Sequence, residues 1–266
     1  MLIMIAIVGS LIAVLPAFFV FLYIARFKGS MWLSALLGGV FWLVALLART
    51  PILLVLELWG LTIPPSFYVL FAIIVIFIAA LLAGLFEEGI KYGFLKKFPN
   101  FVKTVKHALC FGLGWGLSEA LLVYVLTVLT YGFLYEWLIT IITLPPESYL
   151  YFNFILGAFE RNIAIVYHVS ATILVALAVW HRRFFFAFLA ILTHFLFDFI
   201  PLILLQFVLY PLLDPFIVGI LAECLFAIFA IIFLVLSYWL LKREGGHPKT
   251  EMKLPPEDKT QVKLDV

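Results

Sequence analysis

Ionisable side chains recur inside long apolar runs of this sequence, where they could perform acid–base or metal chemistry. Glu87 and Glu88 are adjacent, and Lys91 follows within one helical turn. His194 and Asp198 are four residues apart, so they share one face of a helix. Because a charged group at bilayer depth costs several kcal/mol unless it is paired or hydrated, each of these residues is a functional candidate.

Further ionisable residues occur in other apolar runs, and together the set predicts one shared site. Carboxylates and imidazoles can bind a divalent metal or activate a water molecule. We expect the catalytic residues to be Glu87, Glu88, His168, His194 and Asp198. We expect the supporting residues to be Lys91, Glu119, Glu160 and Arg161.

Other interpretations of these residues stay open at this point. Glu160 and Arg161 could simply neutralise charge within a helix bundle, and Arg49 and Glu223 fit structural pairing. Buried carboxylates and imidazoles also serve proton relays, so a small-solute or proton-coupled transporter is one alternative. A non-catalytic protein that binds a membrane partner is another. The His-Glu-x-x-His pair of zincins and the Gly-x-Ser-x-Gly serine element do not occur in the sequence.

The elements that must position these residues are membrane-spanning helices. The chain has 266 residues, of which 66% are hydrophobic and only 12% are charged. Its mean hydropathy is +1.22, too high for a soluble domain. We therefore predict an all-α polytopic membrane protein in the cell membrane, with lipid as its surroundings and no nucleic-acid partner. Seven apolar runs are long enough to cross a bilayer: 2–25, 31–58, 67–95, 105–133, 151–180, 184–210 and 216–241. Pro201 is expected to kink or split the sixth run.

Basic residues predict the orientation of this bundle. The loops after the odd-numbered runs carry Lys and Arg, whereas the loops after the even-numbered runs carry none. The positive-inside rule then places the N-terminus outside and the C-terminus in the cytoplasm. We expect residues 1–241 to form a single transmembrane domain and residues 242–266 to form a polar, disordered cytoplasmic tail.

Four motifs resemble those of known intramembrane peptidases. The stretch Phe86–Lys91 resembles the Glu-Glu-x-x-Lys/Arg motif of the PrsW-like and CAAX-protease/bacteriocin-processing (CPBP) peptidases. Gly112–Glu119 resembles their Gly-rich helix that ends in Glu, and His194–Asp198 resembles their closing His-x-x-x-Asn/Asp motif. The stretch from Glu160 to His168 is most similar to the YhfC branch of membrane metalloproteases.

The resemblance implies a catalytic chamber inside the membrane and hydrolysis of a peptide bond in or next to a membrane segment. It implies that Glu87 or Glu88 polarises the water with help from His168, and that His194 and residue 198 complete the site. The CAAX-type enzymes have Asn where this chain has Asp198. An ionised carboxylate would repel an oxyanion, so Asp198 is more naturally a metal ligand or the partner of His194.

This difference favours a divalent metal such as zinc over a glutamate-only mechanism, although both stay open. The expected metal ligands are His168, His194, Glu88 and Asp198. The expected substrate is a membrane protein or a lipidated peptide. Counting residues along the spans places the site in the cytoplasmic half of the bilayer or near its midplane, so water is expected to enter from the cytoplasm.

Overall fold

The fold is entirely helical over the residues that the structure describes. The structure is a computed structural model that describes residues 1–26, 28–142, 147–206 and 212–245. Seven helices in these ranges are long and apolar enough to cross a membrane. They are α1 (Leu2–Ala25), α2 (Gly29–Gly60), α3 (Pro65–Lys97), α4 (Val105–Leu138), α5 (Glu147–His181), α6 (Phe184–Leu204) and α7 (Pro215–Glu244).

The predicted fold class and number of spans are confirmed, with small differences at the helix ends. The helix α1 has the predicted bounds, and α4 runs five residues beyond the predicted end at Phe133. The helix α6 is continuous through Pro201, so the expected split does not occur there. The last predicted residues of the sixth span, 207–210, lie outside the described residues, as does most of the predicted tail; α7 continues to Glu244.

Two helices contain a short π-helical segment beside a predicted site residue. In α3 the segment Gly84–Glu88 includes both adjacent glutamates. In α4 the segment Ala120–Val125 begins immediately after Glu119. A π turn widens the helix locally and changes the direction in which side chains point, and such turns are frequent at functional sites. Apolar periodicity does not predict them.

Glycines allow α4 to pack tightly between α2 and α5. A Cβ atom on Gly114 would lie 1.9 Å from the carbonyl oxygen of Ala35 in α2. A Cβ atom on Gly112 would lie 2.8 Å from the Cα of Val169 in α5. Only glycine permits these approaches, as expected for a small-residue stripe in a membrane bundle. The contact brings the end of the stripe, Glu119, close to α5.

The bundle has two unlike ends. One end, named here the packed end, contains Ala25, Gly29, Lys97, Val105 and His181. Its elements are joined by side-chain bonds: the Ser34 hydroxyl donates to the Phe101 carbonyl (3.2 Å), and the Trp180 indole donates to the Val102 carbonyl (2.6 Å). The opposite end, named here the open end, contains Gly60, Pro65, Leu138 and Glu147. There the ends of α2 and α3 are largely uncovered by the described residues, whereas α1, α4 and α5 pack against one another.

Candidate functional site

Four helices bring the ionisable residues predicted from the sequence close together inside the bundle. The helix α3 carries Glu87 and Glu88, α4 carries Glu119, α5 carries His168, and α6 carries His194. The rings of His168 and His194 lie 5.6 Å apart between their centroids. The convergence expected from the motifs is therefore present, and it divides into two clusters around the two adjacent glutamates.

The Glu88 cluster consists of Glu88, Lys91, His194 and Asp198. The Lys91 ammonium donates to both oxygens of Glu88, at 2.9 and 3.0 Å, and both residues are fully buried. Nδ1 of His194 lies 3.1 Å from Oε1 of Glu88. On its other side, Nε2 of His194 lies 3.7 Å from Oδ2 of Asp198. Glu88 thus has its charge and its hydrogen-bonding capacity matched within the protein.

The Glu87 cluster consists of Arg49, Glu87, Trp115, Glu119 and His168. Arg49 Nη1 lies 2.8 Å from Oε1 of Glu87, and the Trp115 indole donates to Oε2 at 2.9 Å. Nδ1 of His168 is 4.0 Å from that same Oε2. Nε2 of His168 lies 2.5 Å from Oε2 of Glu119. The His168 ring therefore lies between two carboxylates that come from different helices.

The supporting pair expected on α5 joins the Glu87 cluster from one side. Arg161 Nη1 lies 2.7 Å from Oε1 of Glu119, and Nη2 is hydrogen-bonded to Glu160. Two carboxylates thus share one guanidinium, and the planar fork of Arg suits such bridging. This arrangement fixes one oxygen of Glu119 and leaves the other toward His168.

The donor set fits a divalent cation at Glu87, Glu119 and His168. One ligand atom from each lies within 4.8 Å of the other two. Nδ1 of His168 is buried and has no hydrogen-bond partner among the described residues, which is unusual for a buried polar atom. Two ligands each about 2.0–2.1 Å from one ion can be at most about 4.2 Å apart, so the 4.0 Å between Nδ1 and Glu87 is compatible with a shared ion.

This grouping differs from the ligand set expected from the sequence, which comprised His168, His194, Glu88 and Asp198. The physical reason is Lys91, whose ammonium occupies both oxygens of Glu88. A cation held against that carboxylate would meet the charge of Lys91 at close range. Glu87 and Glu119 each have a guanidinium at one oxygen only, so the second oxygen of each is held by no cationic side chain of Lys or Arg. The choice of ligands and the supporting role of Glu119 stay predictions.

Arg49 and Trp115 both contact Glu87, although the sequence motifs did not select them as site residues. By sequence, Arg49 fitted only structural pairing. An arginine inside a span requires a carboxylate partner, but that signal does not say which carboxylate it is. Trp115 lies within the Gly-rich motif, and its indole N–H needed an acceptor when buried. The ring of Trp115 also lies under Lys91, whose Nζ is 4.4 Å from the ring centroid. Trp115 therefore contacts both clusters.

Comparison with known proteins identifies the family to which this architecture belongs. A family model described as "YhfC intramembrane metalloprotease" matches residues 11–222. "Uncharacterized membrane protein YhfC" of Bacillus subtilis (strain 168) is 32% identical over 143 residues, a match that covers 47% of this chain. The match spans 55% of that relative, so about half of its length is compared. No solved structure matches the chain. The chain is a multi-pass integral membrane protein, and because the family model covers most of it, this chain belongs to the YhfC intramembrane metalloprotease family.

Proposed function

We propose that this protein is an intramembrane metallopeptidase that hydrolyses a peptide bond in or next to a membrane segment. We further propose that Glu87, Glu119 and His168 hold its divalent cation, with zinc as the expected ion. Two observations carry the proposal: one ligand atom from each of these residues lies within 4.8 Å of the other two, and the buried Nδ1 of His168 has no hydrogen-bond partner among the described residues. Membership of a family described as metalloproteases supports the reaction class.

Glu119 is proposed as the second carboxylate ligand. Its Oε2 lies 2.5 Å from Nε2 of His168, and ligation of an ion by Glu119 would replace this hydrogen bond. Nδ1 of His168 lies on the side of the ring toward Glu87. The imidazole therefore has a carboxylate beside each of its two nitrogens, and either nitrogen can serve as a ligand.

Glu87 is held by donors to both of its oxygens. Arg49 and Trp115 each donate one hydrogen bond, so the carboxylate has little rotational freedom. A divalent cation supplies Lewis acidity toward a peptide carbonyl and an attacking water. The contribution of Glu87 is a fixed negative oxygen beside that position, able to bind the ion or to accept a proton from water.

His194 is proposed to act on the substrate rather than on the cation. Glu88 holds Nδ1, and Nε2 points toward Asp198, which is partly exposed. An imidazole held in this way can donate a hydrogen bond to a developing oxyanion or a proton to the leaving amine. Lys91 then holds Glu88 in position by donating to both of its oxygens.

Metal analysis of the purified protein, paired with a cleavage assay, tests this proposal. We expect about one tightly bound ion per chain in the wild type, as for a catalytic site with three protein ligands. His168→Asn should lose the ion and the cleavage of single-span membrane proteins in proteoliposomes, detected as fragments by mass spectrometry.

The matched control is His107→Asn, because His107 bonds to Thr104 and Ser30 at the packed end, away from both clusters. This variant should retain metal and activity. Full cleavage by a metal-free wild-type protein would replace the metal mechanism with a glutamate-only one. Full metal content and full cleavage by His168→Asn would overturn the proposed site.

A further inference from the structure

The packed end forms a closed layer on one side of the site. In α5, every residue from Ser170 to Ala178 is buried, so protein surrounds this helix on all sides for about 12 Å. In α4, the stretch 111–116 is buried in the same way. The core cluster there includes large side chains such as Trp42, Phe111 and Leu174. Both His168 and Trp115 lie where this layer ends.

On the other side of the site, α2 and α3 have few protein neighbours among the described residues, whereas α1, α4 and α5 stay packed through Leu2, Tyr124 and Phe154. No residue of α2 after Ala45 is buried, although the helix continues to Gly60. No residue of α3 is buried before Ala80. The first part of α5, from Glu147 to Ile163, has only Leu150, Phe154 and Ala158 buried. Among the described residues, the protein therefore covers the site from one end and leaves it uncovered along α2 and α3 toward the other end.

The exposure of the polar side chains follows the same gradient. Lys91 and Glu88 are fully buried. The side chains of Glu119, Asp198 and Glu160 are 19%, 29% and 32% exposed. Asp198 lies one turn beyond His194 toward the open end, and Glu160 lies about 12 Å before His168 in the same direction.

These partly exposed carboxylates require water beside them. A carboxylate that faces hydrocarbon without a partner costs several kcal/mol. Glu119 and Glu160 share the single guanidinium of Arg161, so one cation must serve two of these three acids. Water reaching them through the packed end would have to cross the closed layer around α5. The uncovered route from the open end has no such layer among the described residues.

We infer that the site is hydrated from the open end and that the substrate enters from that half of the bilayer. The part of this inference that concerns substrate rests on the proposed peptidase function. With the orientation expected from the basic residues, the open end faces the outside of the cell. Water would then enter from outside, and not from the cytoplasm as the depth of the site predicts. The substrate class is then a membrane segment whose cleaved bond lies at or near the outer half.

Cysteine labelling tests the route without any need for catalysis. In a Cys110→Ala/Cys224→Ser background, single cysteines replace Glu160 and Asp198, the two most exposed acids of the site. Two exposed reference positions mark the sides: Thr62→Cys for the open end and Lys97→Cys for the packed end. Ala176→Cys and Ala187→Cys, both buried, serve as matched controls within the closed layer.

A membrane-impermeant thiol reagent is applied to sealed vesicles from each side in turn. Glu160→Cys and Asp198→Cys should react from the same side as Thr62→Cys, and the two buried controls should not react from either side. Reaction from the same side as Lys97→Cys would overturn the inference, as would no reaction from either side. Because the references define the sides, the result holds whichever way the protein is inserted, and an inactive protein would still give a decisive answer.

Discussion

The Glu88 cluster and the Glu87 cluster differ in how completely their charges are matched within the protein. Glu88 has an ammonium on both of its oxygens and an imidazole beside it, and it is fully buried. In the Glu87 cluster, two carboxylates approach an imidazole whose Nδ1 has no partner among the described residues. Two adjacent acids on one helix therefore have unlike surroundings, one fully paired within the protein and the other beside an imidazole nitrogen that no described residue bonds.

The largest effect on stability is expected from removing the ammonium group of the Glu88 cluster. Lys91→Met removes the cation and leaves Glu88 as an uncompensated buried charge. Removal of one partner of a buried ion pair costs about 3–5 kcal/mol, so the free energy of unfolding should fall by that amount. Unfolding by SDS in mixed micelles measures it.

Two further variants make this test specific. Lys96→Met on the same helix removes an exposed cation and should change stability little. The double variant Glu88→Gln/Lys91→Met should recover a large part of the lost stability, because no charge is then left unmatched. A Lys91→Met protein as stable as Lys96→Met would show that the two clusters do not differ in this way.

An intermediate effect is expected from weakening the support of Glu87. Trp115→Phe keeps an aromatic ring beside Lys91 but removes the N–H that donates to Oε2 of Glu87. Loss of such an outer hydrogen bond lowers metal affinity by about 10–100-fold. Competition with a chelator measures this change in the purified protein.

Trp180→Phe is the matched control for this variant. It removes an indole donor whose acceptor is the Val102 carbonyl at the packed end. It should lower stability and leave metal affinity unchanged. Equal losses of metal affinity in both tryptophan variants would mean that Trp115 acts through general packing and not through Glu87.

The smallest effect on metal affinity is expected at Asp198. This variant distinguishes the ligand set of the proposed function from the set expected from the sequence, because only the second set includes Asp198. Its only ion pair among the described residues is the 3.7 Å contact with His194, and the side chain is partly exposed. Exposed pairs contribute up to about 1 kcal/mol, so Asp198→Asn should change metal affinity by about fivefold or less. Glu119→Gln should have a larger effect in the same chelator competition. A loss in Asp198→Asn as large as that in Glu119→Gln would favour the ligand set expected from the sequence.

The spans and the convergence of the ionisable residues could be predicted from the sequence for different reasons. Apolar length alone predicts the helices, because the thickness of the bilayer sets that length, and the bounds of α1 match those predicted. The cost of intramembrane charge is a separate signal, and it selects Glu87, His168 and His194. The roles of these residues stay predictions, as do the relation to the PrsW-like and CPBP peptidases, the orientation of the termini and the single transmembrane domain followed by a tail.

The division between Glu87 and Glu88 could not be predicted, because neighbouring residues on a helix differ only in direction. Which of them meets Lys91 depends on the turn in which they lie, and that turn is π-helical. The assignment of Arg49 depends on how α2 lies against α3, a relation that no local pattern encodes. Pairing across helices is a property of packing and not of spacing along one chain segment.

The π segment at Gly84–Glu88 also makes the directions of the two acids depend on the number of residues in α3. A π turn accommodates about one residue more than an α turn, so it resembles a tolerated insertion. Deleting one residue there would restore regular α geometry and rotate one half of the helix by about 100° against the other. Such a deletion would move one acid toward the surroundings of the other without substituting either of them. The arrangement of this site therefore depends on the number of residues in α3 as well as on their side chains.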